Sequence, residues 1–153
     1  MEKITEIVNY IVGHSSELKN KFTNAHSAPV EFACVFCQNE EEYKLFTHWI
    51  EALGKVVERT QSGFTYFLDK PIGTVAGPLR LVKIRKSEIQ RPERGDADFN
   101  TDYKNFKKRY QENGMFELIK RGTFEMLRLS NPNFDVMTCF SSIPKSKDLG
   151  VKL

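Results

Sequence analysis

The chain has 153 residues, 40% of them hydrophobic and 28% charged, with twelve Phe. A chain this long buries roughly 70% of its unfolded surface, enough for one domain without disulfide or metal support. Twenty-three basic against twenty acidic residues give a net charge of +3, too little to point to nucleic acid, and no apolar run approaches the roughly 20 residues of a membrane span. The N-terminus is broken by charges and lacks the apolar segment of a secretion signal. Three Cys form no disulfide framework. A cytoplasmic protein is therefore expected, with neither membrane nor nucleic acid as a partner.

Residues 2–22 read as an amphipathic helix, because Ile4, Ile7, Val8 and Ile11 recur at helical spacing and Leu18 and Phe22 extend the stripe. Gly13 and the Ser15-Ser16 pair are places where it could bend or split. After a polar stretch to Pro29, the run VEFACVF from Val30 is β-branched and aromatic and reads as a buried strand. Asn39 suits a helix N-cap, with acids in the first turn. Phe46, Trp49, Ile50 and Leu53 mark one face of that helix, with Gly54 expected as its C′ residue. KVVERT, FTYFL and PLRLVKIRK then form three strand-like runs, separated by Ser62-Gly63 and by the breakers Pro71 and Gly73.

The same order recurs. Gly95 to Asn100 reads as a short strand, Thr101 as an N-cap, and Tyr103, Phe106 and Tyr110 as a helix closed by Gly114. FELIKR, FEMLRL and FDVMTCF complete three more strands around turns at Gly122-Thr123 and Asn131-Pro132-Asn133. Tyr43 and Tyr103, Lys44 and Lys104, Phe46 and Phe106, and Gly54 and Gly114 each stand sixty positions apart. Agreement of helix face, terminator and following turns predicts a duplicated βαβββ unit. The expected fold class is α+β: paired βαβββ modules (30–86 and 95–141) curl a mixed sheet around a cup. An N-terminal helix and linker (1–29) precede them, and a Lys-rich tail (142–153) is expected along the surface.

A duplicated βαβββ unit resembles the vicinal oxygen chelate, or glyoxalase-like, superfamily. From Glu31 to Asn113 the chain is further similar to the YecM family of bacterial metal-binding proteins. The matching features are the strand ending Cys37-Gln38-Asn39, the helix with Phe46, Trp49 and Gly54, the run Phe67-Leu68-Asp69-Lys70-Pro71, LRLVKI, Arg91-Pro92-Glu93 and an acid-x-acid strand. The resemblance implies a divalent metal in the cup, held from the first and fourth strands of each unit and acting as a Lewis acid. Carried over, those positions fall on Glu31, on Lys83, on Asp96 and Asp98, and on Phe140, with Thr138 as the inward alternative. An ammonium and a phenyl ring cannot ligate a metal. Glu31, Asp96 and Asp98 are left as metal candidates, suited at most to weakly held Mg²⁺, Mn²⁺ or Ca²⁺, so no resident cofactor is expected.

Arg80 to Arg94 is the most charge-dense stretch, and Leu79, Leu81, Lys83 and Arg85 share one strand face. Lys or Arg inside a cup must meet either acids or a ligand anion. This predicts a small anionic molecule as partner, bound by Lys83, Arg85 and Arg94 and oriented by Glu31 and Asp98. Cys34 and Cys37, at an odd separation, face opposite ways and form no C-x-x-C site. The function predicted is a glyoxalase-like protein binding a small anion in a cup, with a degenerate or absent metal site. Two alternatives stay open. One is a metal-dependent lyase, isomerase or oxygenase-type enzyme with Glu31 or Asp98 as catalytic base. The other is an interaction module, a homodimer through its first helix or a partner-binding surface at 85–94.

Overall fold

The computed structural model describes residues 2–88 and 91–153. In chain order the elements are α1 (Glu2–Phe22), β1 (Val30–Phe36), α2 (Glu40–Glu51), β2 (Gly54–Thr60), β3 (Gly63–Thr74) and β4 (Gly77–Arg85). They continue with β5 (Gly95–Phe99), α3 (Tyr103–Tyr110), β6 (Phe116–Arg121), β7 (Phe124–Leu129), β8 (Val136–Ser141) and α4 (Lys145–Leu149). Eight strands form one mixed sheet in the order β2-β3-β4-β1-β5-β8-β7-β6. Each half runs outward the same way: β1 pairs in parallel with β4 as β5 pairs with β8, and the antiparallel β1–β5 pair joins the halves. The expected pair of βαβββ modules is present.

Alternation along the strands gives the sheet two unlike faces. Toward the helices point Ala33 and Val35 of β1, Val82 and Ile84 of β4, Ala97 and Phe99 of β5, and Phe140 of β8, all in one buried core. The aromatic rings of Phe106 and Phe140 sit 4.2 Å apart there. Helix α1 lies against β1, β5 and β8 and runs unbroken through Gly13. The Ser15 hydroxyl donates to the Met137 carbonyl, while the Thr138 hydroxyl donates to the Ser15 carbonyl. The serines that suggested a bend instead bolt the helix to β8. Ile4, Val8, Ile11, Val12 and Leu18 are fully buried, so the apolar stripe of α1 is used within the chain.

Several boundaries differ from expectation for identifiable reasons. Asn39 caps α2, accepting from the Glu42 amide at 2.8 Å, but the helix closes at Ala52 and Gly54 opens β2. A Cβ on Gly54 would lie 2.3 Å from the Phe67 carbonyl oxygen, so close strand approach, rather than a helix cap, requires glycine there. Strand β3 continues through Pro71 and Gly73: a register shift between Phe67 and Ile72 absorbs Pro71, and Gly73 pairs with Pro78 beyond it. Asp102, rather than Thr101, precedes α3, and α3 ends at Tyr110, well before Gly114. Within the C-terminal stretch, residues 145–149 form a short helix, α4, which has no buried residue and contacts β1.

Candidate functional site

The second face of the sheet is concave and charged. Its floor is set by register: Lys83, Cys34, Asp96 and Met137 stand side by side across β4, β1, β5 and β8. Next to them run Phe32, Asp98, Cys139 and Arg128 across β1, β5, β8 and β7. All of these but Met137, with Arg85, Arg121, Met126, Ser141 and residues of the α4 segment, line a cavity of about 150 Å³. Five of the lining side chains are cationic (Lys83, Arg85, Arg121, Arg128 and Lys145), against three carboxylates (Asp96, Asp98 and Asp148).

The cations differ in how well they are paired. Lys83 Nζ donates to the hydroxyls of Ser62 at 2.8 Å and Thr60 at 3.2 Å, and burial pulls its pKa down. Arg85 pairs with Glu88 at 2.9 Å. Arg128 has Glu117 only at 3.9 Å. The Nε atoms of both Arg85 and Arg128 are buried without a hydrogen-bond partner among the described residues, a costly state for a charged donor.

Asp96 and Asp98 point to one face from alternate positions of β5. Burial raises the pKa of both, and the neighbouring Asp96 carboxylate raises Asp98 further; Arg128 and Arg85 oppose the shift at Asp96. The Ser141 hydroxyl donates to Asp98 at 2.9 Å. Asp96, Asp98 and Cys139 bring one ligand atom each within 4.8 Å of one another. Burial first, then the two carboxylates, push the Cys139 thiol well above its usual range, so it stays protonated.

Of the residues singled out from sequence, Lys83, Arg85, Asp96 and Asp98 converge here. Glu31 does not meet them. It sits at a shift of register between β1 and β5, accepting from Asn100 Nδ2 at 2.8 Å and from the Ser146 amide at 2.7 Å. Arg94 is taken up by Glu42 at 2.8 Å, across the Phe46 ring. Thr138 and Phe140 face the helices, so Cys139 is the inward residue of β8. Part of the 85–94 segment, at positions 89–90, lies outside the described residues. Arg121, Arg128, Lys145 and Cys139 are the site residues no motif announced. For Arg128 a signal existed: with Leu127 and Leu129 in the core, alternation sends it to the opposite face.

The chain is similar in structure to a solved structural-genomics protein, EC4020. The match covers 97% of this chain and 91% of that one, with a TM-score of 0.73 at 10% identity. A glyoxalase/bleomycin resistance protein/dioxygenase superfamily member from Vibrio splendidus 12B01 aligns over 74% of this chain and 97% of its own. That alignment has a TM-score of 0.47 at 10% identity. No family model and no curated protein matches the chain. The paired modules and their strand order decide the architecture. The fold is α+β, two βαβββ modules sharing one mixed sheet. Likeness at such identities extends to fold and no further. Among the described residues, no helix is long and apolar enough to cross a membrane.

Proposed function

We propose that this protein is a YecM-like member of the vicinal oxygen chelate superfamily that binds a small anion in its cup and has largely lost the metal site. The observation that carries this reading is a cavity lined by five cationic side chains against three carboxylates, two of whose arginines, Arg85 and Arg128, have a buried Nε without a partner among the described residues. An anion balances that excess of positive charge. A metal fits poorly. Of the four strand positions implied by the resemblance, Glu31 is occupied by Asn100 and Ser146, Lys83 cannot ligate, and Phe140 faces away. Glu31 is for the same reason a poor base, and Asp98 is the carboxylate that a bound molecule would meet. A thermal-shift series with acetate, glycolate and phosphate tests the proposal. Stabilisation should grow with anion concentration and weaken in the Lys83→Met, Arg85→Met double variant; no stabilisation by any anion refutes it.

The Asp96, Asp98 and Cys139 cluster favours a second reading, a divalent-metal enzyme. Elemental analysis and Mn²⁺ titration separate the two. A stoichiometric ion lost on Asp96→Asn would support the metal reading over the anion one.

A further inference from the structure

The cavity's volume and layout narrow the ligand. At about 150 Å³ it falls well short of the roughly 300–1,000 Å³ of a drug-sized site. The ligand is therefore small. The order β4-β1-β5-β8-β7 places the acids of β5 at the centre, with Lys83 and Arg85 two strands away on one side and Arg128 two strands away on the other. Two strand spacings are roughly 10 Å, so long side chains on β4 and β7 converge over the acids and leave a small gap.

Cations alone would accept any oxyanion. Asp96 and Asp98 face the same gap, however, and above neutral pH, where the burial-raised Asp98 carboxyl has lost its proton, both can only accept hydrogen bonds. A ligand offering nothing but lone pairs would be held by the arginines and repelled by the aspartates. Resting on the anion-binding reading above, we infer that the ligand is a small oxyanion carrying its own hydroxyl: a 2-hydroxy acid of two or three carbons, or hydrogenphosphate. Its anionic oxygens lie on Arg128 and Arg85, and its O–H donates to Asp98. Arg128 is the principal anchor, because its ion pair to Glu117 is loose while Lys83 is already engaged by two hydroxyls.

Isothermal titration calorimetry of the whole chain at about pH 8.5, above the raised Asp98 value, tests this with five probes: glycolate, hydrogenphosphate, acetate, sulfate and glycine. Glycolate should bind at least about tenfold tighter than acetate, or hydrogenphosphate at least about tenfold tighter than sulfate, the value of one charged hydrogen bond. Which pair separates identifies the source. Arg128→Gln should weaken the preferred probe by about tenfold or more, and Asp98→Asn should bring the hydroxyl-free analogue level with it. Should either variant fail to fold, the wild-type series decides alone. Equal binding within both pairs, or glycine binding best, overturns the hydroxyl requirement and leaves anion binding standing. No binding of glycolate, hydrogenphosphate, acetate or sulfate overturns both.

Discussion

The two faces of the sheet are made by alternate residues of the same strands, yet they handle charge in opposite ways. On the helix side the ammonium of Lys19 is fully buried. It is also fully supplied: Nζ donates to the carbonyls of Ala25 and His26 and to Asn20 Oδ1, and lies 5.0 Å from the centre of the Phe99 ring. On the concave side Arg85 and Arg128 each keep a buried Nε donor with no acceptor among the described residues. A protein gains nothing in stability from the second arrangement. The difference therefore marks the helix side as structure and the concave side as a place held ready for something else.

Substitutions can break or sharpen that contrast. The largest effect is expected at Phe140, fully buried between Phe99 and Phe106: Phe140→Ala should cost about 3–5 kcal/mol in urea unfolding. Gly95→Ala should cost about 1–3 kcal/mol, because the added Cβ would lie 2.3 Å from the Cys34 carbonyl oxygen and 2.7 Å from Ile11 Cδ1. Lys19→Met removes the donor to two loop carbonyls and should cost about 1–3 kcal/mol. Arg128→Met, on the other face, should change stability by less than about 1 kcal/mol in ligand-free buffer, while abolishing part of the stabilisation by added anion. A cost at Arg128 equal to that at Lys19 would erase the distinction.

The smallest effect is a pH dependence. Burial alone would raise the Glu58 carboxyl, but Lys145, at 3.0 Å, and the Thr65 hydroxyl outweigh it and hold Glu58 below its usual range. A depressed folded pKa stabilises the protein above the unfolded value near 4.5, and that contribution fades as pH falls through the folded value. Thermal melts should therefore show wild type above Lys145→Met at neutral pH, with the gap closing below about pH 4.

The helix-side face was largely legible in the sequence, since apolar residues recurring at periods of 3.6 and 2 report their own burial. The repeat spacing of Phe46 with Phe106 located both packed helices. The concave face was legible only in part. Lys83 and Arg85 declare their face through apolar neighbours, whereas Glu31 was misplaced because the register shift at the head of β1 lies in the pairing with β5 and leaves no mark on β1 itself. Arg121 and Lys145 reach the cavity through tertiary placement of a strand end and of a short helix. No local pattern encodes that.

The contact between Glu31 and the Ser146 amide has a mechanical consequence. Glu31 is only 4% exposed, so removing residues 143–153 would not merely uncover the hollow; it would take away the Ser146 amide and leave the carboxylate, among the described residues, with the Asn100 side-chain amide as its one donor. The shortened chain should be crippled by that orphaned charge, and Glu31→Gln should restore it, which makes the far end of the polypeptide a fastener for its first strand.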